Sequence, residues 1–194
     1  MRLKKEITLK EIMDEAPDVI IVSTGSRPSM PEVPGIQKPV VVNGLDIYKG
    51  KEVGETVIIV GGGMLGAELA LFLGEKGKKV ILTTRQGQIG YDMEIAHFIV
   101  LMDKLMKAGV QIYSQKLLHE VTDDGVVMLD LARLGEKIKI KGDNVIIMGG
   151  LQPDATLYQG LKDKGLSVYA IGDCIQPRGI HEAIYEGHLT ARSI

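Results

Sequence analysis

Val57-Ile58-Ile59-Val60-Gly61-Gly62-Gly63-Met64-Leu65-Gly66-Ala67 decides the fold, because an apolar run passes directly into a Gly-x-Gly-x-x-Gly turn and a helical sequence follows. Four β-branched residues in succession read as a strand buried on both faces, and 67–76 reads as a helix. The glycines then have separate tasks. Gly61 permits the tight turn, Gly63 lets backbone approach a pyrophosphate, and Gly66 lets helix and strand meet closely. The first amides of the helix, around Met64 and Leu65, lack intrahelical acceptors, so they and the helix dipole suit a bound phosphate. The competing reading is a glycine-rich strand-to-helix turn in an unrelated α/β domain.

Outward from this turn, further apolar runs predict strands at 79–83, 110–113, 144–148 and 168–171, and before it at 19–22. A core built from Val, Ile, Leu and Met, with no tryptophan and two phenylalanines, fits strands covered on both faces by helices. Residues 92–107 predict a helix in which Ile95, Phe98, Ile99, Met102, Leu105 and Met106 share one buried face. The stretch 27–51 carries Pro28, Pro31, Pro34 and Pro39 and reads as a connector. Turns at Asp123-Asp124-Gly125 and Leu134-Gly135 divide 116–141 into extended pieces, the pattern of antiparallel hairpins. Three strands outside the glycine unit end in small loops at Thr24-Gly25, Gly149-Gly150 and Gly172-Asp173. Ligands of open parallel sheets gather at such strand ends, so a second site is an expectation, with plain strand-ending turns the alternative.

Composition removes other functions. A formal charge of −2 gives no basic field for a nucleic-acid backbone. No apolar run reaches the length of a membrane span, and the charged segment 1–10 is unlike a signal segment, so a cytoplasmic location is expected. One cysteine, Cys174, leaves no internal disulfide or CxxC pair, and the four histidines have no metal-ligand spacing.

Three segments in order resemble the two-dinucleotide flavoproteins of the pyridine nucleotide-disulfide oxidoreductase superfamily. Ala16-Pro17-Asp18-Val19-Ile20-Ile21-Val22-Ser23-Thr24-Gly25-Ser26-Arg27-Pro28, followed by Pro34-Gly35, resembles the exit from the family's FAD domain. The glycine turn through Glu68 resembles its nicotinamide-nucleotide fingerprint. Ala170-Ile171-Gly172-Asp173-Cys174 with Glu182-Ala183-Ile184-Tyr185-Glu186-Gly187 resembles its closing FAD motif. Pro177-Arg178 and His181 draw the resemblance toward the 2,4-dienoyl-CoA reductase, 2-enoate reductase and NADH oxidase branch.

The resemblance implies an α/β fold: a Rossmann-like NAD(P)-binding domain at 52–143, with a parallel sheet and an added antiparallel β-meander, flanked by 1–51 and 144–194 as the remnant of a split FAD-binding domain. The family's first FAD glycine fingerprint has no counterpart here. The chain is therefore expected to be a piece of a longer polypeptide whose upstream flavin domains, with possible FMN and an iron–sulfur cluster, lie outside it. The implied activity of the parent is hydride transfer from NAD(P)H to FAD, with an NADH oxidase, a ferredoxin-type reductase or a non-catalytic nucleotide-binding module as alternatives. No residue is assigned as catalytic.

Cofactor choice turns on Thr83-Thr84-Arg85, where Thr84 stands at the position of the family's ribose-binding carboxylate. A hydroxyl and a guanidinium suit a 2′-phosphate, so NADPH is preferred over NADH, although Gln86 and Gln88 can bond an unphosphorylated ribose and Arg85 can be a solvated charge. Glu68 is implied near the nicotinamide side of the cleft or serves only the helix dipole. Asp173 is implied at a ribityl hydroxyl of FAD or caps a turn. Cys174 reads as a small buried hydrophobe.

Overall fold

The computed structural model describes residues 2–194; Met1, the first residue of the charged segment 1–10, lies outside them. Two compact units emerge: Pro28–Gly150 in the middle, and residues up to Arg27 together with Leu151–Ile194. In chain order the elements begin with α1 (Leu9–Glu15), β1 (Ile20–Val22) and β2 (Ser26–Pro28). The middle follows with β3 (Val41–Asn43), α2 (Gly44–Tyr48), β4 (Thr56–Val60), α3 (Met64–Glu75), β5 (Lys79–Thr83), α4 (Ile95–Lys107), β6 (Gln111–Tyr113), β7 (Lys116–Thr122), β8 (Gly125–Asp130), β9 (Glu136–Lys141) and β10 (Asn144–Ile147). The chain closes with β11 (Leu151–Pro153), α5 (Thr156–Lys162), β12 (Val168–Ala170) and α6 (Ile180–Ser193).

The middle unit is the α/β fold expected. Its five-stranded sheet runs β3-β10-β4-β5-β6, with every pairing parallel. Side-chain alternation divides the apolar strands between two cores. Val57, Ile59, Val80, Leu82 and Ile146 join Ala67, Leu69, Leu73 and Leu105 on the helix side. Ile58, Val145 and Ile147 instead join Leu118, Val121, Val126 and Met128 of the antiparallel β7-β8-β9 meander. Each face of the sheet is thereby covered, which is why its strands read as unbroken apolar runs rather than alternating ones.

The structure differs from the sequence reading at three points. On α4, Leu101 and Leu105 are buried with Phe98 and Met102 packed beside them, but Ile95, Ile99 and Met106 are 70%, 61% and 65% exposed. Those three lie roughly a quarter-turn from the buried stripe, and three-and-four spacing alone does not choose between adjacent faces. The run 144–147, assigned by sequence to the flanking domain, is the sheet strand β10, paired with β4 from Asn144↔Val57 to Ile147↔Val60. It brings β3 with it, so the middle unit spans 28–150 where the sequence reading sets 52–143. Finally, α1 and α5 are short helices absent from the sequence reading.

The other unit is thin. Strand β1 pairs in parallel with β12, Ile20↔Val168 to Val22↔Ala170, and β2 pairs with β11. Ile12, Val22, Leu161 and Cys174 form its buried core, supported by Leu9, Leu157 and Leu166. No residue of α6 is buried, and Ile180 and Ile184 are 81% and 69% exposed.

Candidate functional site

The glycine turn lies at the carboxyl end of β4. From β4 the sheet grows one way through β5 and β6 and the other way through β10 and β3, so this is the topological switch point at which open α/β sheets take ligands. Gly61 adopts φ +125°, and a Cβ there would overlap the Met148 carbonyl that follows β10. A Cβ on Gly66 would overlap the Gly61 carbonyl oxygen, so its absence sets how closely α3 rides over the turn. Gly63 is the N-cap of α3 and offers no side chain to the helix's first amides. Met64 and Leu65, part-exposed, form the first turn. A larger residue at Gly61 or Gly66 would push the Met148 segment or α3 off the turn, so these glycines keep the close approach of strand, turn and helix that a dinucleotide fingerprint needs.

Beside the turn lies a cavity of about 340 Å³ whose wall includes Gly61, Gly62, Thr84, Arg85, Tyr91 and Gly149. Five residues named from sequence therefore converge on it, Gly61, Thr84, Arg85, Gln86 and Gly149, whereas Gly63, Met64, Leu65 and Gly66 do not line it. Thr84 is buried beneath Gly62, and its hydroxyl accepts the Gln86 N–H at 3.2 Å. Arg85 is exposed, and no hydrogen bond or ion pair holds its guanidinium among the described residues. Lys116 shares this wall and was not found from sequence. Its ammonium donates to Asp130 Oδ1 and to the Ser114 carbonyl, each at 3.0 Å, with the two side chains only 13% and 9% exposed. That hydrogen bond holds the Asp130 carboxyl below the usual range.

Glu68 stands elsewhere. Its carboxylate is 3.7 Å from His97 Nε2, in a groove between α3 and α4 lined also by Phe72, Val100 and Lys104.

In the other unit, Gly25, Gly172 and Asp173 line a cavity of about 360 Å³ with Ser23, Arg178 and Gly179. Asp173 accepts from the Ser26 hydroxyl at 3.3 Å and from the Arg178 N–H at 3.1 Å. Thr24 turns aside to donate to the Asp154 carbonyl at 2.6 Å. Glu186 accepts the Gly172 N–H at 2.7 Å and pairs with the Arg178 guanidinium, and these two contacts, the backbone one first, lower its pKa. Cys174 is buried, with its thiol donating to the Val22 and Ile171 carbonyls, as expected of a residue that packs.

Residues 3–187 match the family of pyridine nucleotide-disulphide oxidoreductases. The chain belongs to that family. It is 31% identical over 185 residues to the NADH oxidase of Thermoanaerobacter brockii, covering 92% of this chain and 28% of that protein. It is 28% identical over 198 residues to the cinnamate reductase of Clostridium sporogenes, covering 100% of this chain and 29% of the relative. The structure of a 2-naphthoyl-CoA reductase with 2-naphthoyl-CoA superposes with a TM-score of 0.90 at 31% identity, over 100% of this chain and 29% of that one. The chain thus spans under a third of the length of these relatives.

Within the pyridine nucleotide-disulphide oxidoreductase framework, sequence reasoning located the glycine turn and the strand ends. It missed two of the groups that hold them: the Met148 carbonyl against Gly61 and Lys116 in the wall with Arg85. Glu186 was marked by the segment that resembles the closing FAD motif, though not for its hold on the Gly172 amide.

Proposed function

We propose that Pro28–Gly150 is the NAD(P)H-binding part of a flavin-dependent oxidoreductase and that the flanking unit is part of its FAD-binding domain. The observation that carries this reading is the Gly61-Gly63-Gly66 turn at the switch point of a parallel sheet, beside a cavity walled by Gly61, Thr84 and Arg85, in a chain of this family. The dinucleotide's pyrophosphate lies against the first amides of α3. Its adenosine ribose lies toward Thr84 and Arg85 at the end of β5. When bound, these cofactors would supply hydride transfer from NAD(P)H to FAD, from which the parent protein would pass the electrons on. The chain's own residues bind and orient: Gly25, Gly172 and Asp173 supply a backbone concavity and a hydrogen-bond acceptor for the flavin nucleotide, with Thr24 at its margin and Glu68 outside the dinucleotide cavity.

Two observations support a larger flavin domain, completed by other residues of the same polypeptide. Among the described residues a two-stranded parallel sheet has no partner on either outer edge, whereas parallel sheets are otherwise buried structures. The exposed apolar residues of α6 also lack a cover within their unit. The likeness to a cinnamate reductase and a 2-naphthoyl-CoA reductase favours an enoate or dienoyl-CoA reductase parent, cytoplasmic, with FMN and an iron–sulfur cluster outside this chain. The likeness to an NADH oxidase favours the second reading, an oxidase parent.

Calorimetric titration tests the assignment. NADPH is expected to bind several-fold more tightly than NADH, and Arg85→Ala to remove most of the difference; tenfold corresponds to about 1.4 kcal/mol. Equal affinities would return Arg85 to a solvated charge, and no binding of either would sink the dinucleotide reading. The purified chain is expected to hold no stoichiometric FAD, since a ligand of that size needs a largely preformed site. A bright yellow preparation would contradict this.

A further inference from the structure

The outer face of the glycine turn is covered by its own chain. The segment 85–94 between β5 and α4 is hooked onto the turn at two points: Gly90 N–H donates to the Gly62 carbonyl at 2.7 Å, and Met64 N–H donates to Asp92 Oδ1 at 2.8 Å. The hooks differ in kind. The first is anchored, because Gly90 sits at φ +61° and its neighbour Ile89 is buried in the core with Leu69 and Leu82. The second is a single exposed side chain. A Cβ on Gly63 would stand 2.9 Å from Asp92 Oδ2, so the carboxylate occupies the side of Gly63 that the missing side chain leaves open. Gly63 gives α3 no side-chain cap, and the first turn of α3 carries no acid of its own.

We propose that Asp92 is an internal competitor for the dinucleotide's pyrophosphate, holding the Met64 amide that a phosphate oxygen takes on docking. This inference rests on the dinucleotide reading above. An anion at a helix N-terminus is stabilised by the dipole and the free amides, and two anions at one terminus repel. Rotation of the Asp92 side chain releases the amide while Ile89 and Gly90 keep the loop in place. The dinucleotide therefore displaces one carboxylate rather than a folded segment, and the residue sets how firmly the cofactor is held. A cofactor that arrives reduced and leaves oxidised at each turnover is served by a modest hold.

NADH, ADP and adenosine are titrated calorimetrically into the full chain, Asp92→Asn and Asp92→Ala, with the melting temperature of each recorded. Asparagine keeps an acceptor for the Met64 amide and removes the charge. It is expected to bind NADH and ADP about three- to tenfold more tightly than the wild type, a gain that shrinks at high salt, with adenosine unchanged. The alanine variant is expected to share the gain while melting lower, because the cap is lost. Unchanged or weaker NADH and ADP binding in folded variants, beside a wild type that binds, overturns the role of Asp92 alone. Equal gains for adenosine overturn the pyrophosphate mechanism. Failure of the wild type and both variants to bind NADH and ADP overturns the dinucleotide reading, and the inference falls with it.

Discussion

The two units are built from the same kinds of element yet differ in how far they satisfy them. In Pro28–Gly150 the parallel sheet has helices on one face and a meander on the other, and strand β4 is flanked by partners on both sides. In the other unit, among the described residues, strands β1 and β12 of three residues each pair with each other alone, and the longest helix buries none of its residues. A parallel sheet gains its stability from coverage and from neighbours along each edge. The middle unit therefore holds its cavity by packing, and the other holds its cavity by individual polar contacts such as Glu186 on Gly172.

The largest effect should come from Gly66→Val. A side chain there overlaps the Gly61 carbonyl in a packed core, and relief requires α3 to move off the sheet. A loss of about 3 kcal/mol is expected, on the order of 10 °C in melting temperature, together with loss of NADH binding. Thermal melts near wild type would show that the contact between helix and turn is softer than the packing implies.

Hydrogen exchange compares the units directly. The amides of Gly61, bonded to the Thr83 carbonyl, and Met148, bonded to the Val60 carbonyl, should exchange only through wide unfolding of the middle unit. The amides of Ile20 and Ile171, bonded to Ser167 and Val22, should exchange at least about a hundredfold faster through local opening. Equal protection would mean the thin unit opens only with the thick one.

Acid should separate them as well. Glu186 has a lowered folded pKa, so its contribution is present above the unfolded carboxylate value of about 4.3 and is lost as pH falls through the lower folded value. Melts recorded between about pH 6 and pH 3 should show a falling acid limb that Glu186→Gln flattens. An unaltered limb would assign the acid sensitivity to other carboxylates, Asp130 first.

The smallest change is expected for Cys174→Ser. A hydroxyl can donate to the same Val22 and Ile171 carbonyls, so stability should shift by no more than about 1 kcal/mol.

Much of the middle unit was legible because its strands are apolar throughout and its turn has a glycine spacing with few uses. Local pattern could not say which sheet takes 144–147, since an apolar run records burial and not its neighbours. The face of α4 was misjudged at Ile95, Ile99 and Met106, which carry the same chemistry as the buried stripe. Helix α1 did have a local signal: Thr8 and Glu11 form a capping box, with the Glu11 N–H donating to the Thr8 hydroxyl at 3.3 Å and the Thr8 N–H to Glu11 at 3.0 Å. The site was legible where a glycine or a strand end marks it. Lys116 and Asp92, 32 and 8 residues on from Thr84, reach it through folding alone.

The middle unit begins and ends at one place. Ser29 N–H donates to the Gly150 carbonyl at 3.0 Å, so the chain enters and leaves this unit through adjacent residues. Such a piece is a cassette. It can be lifted from one polypeptide and spliced into a surface loop of another without stretching either end, and joining its own ends by a short linker leaves the path of every strand unchanged.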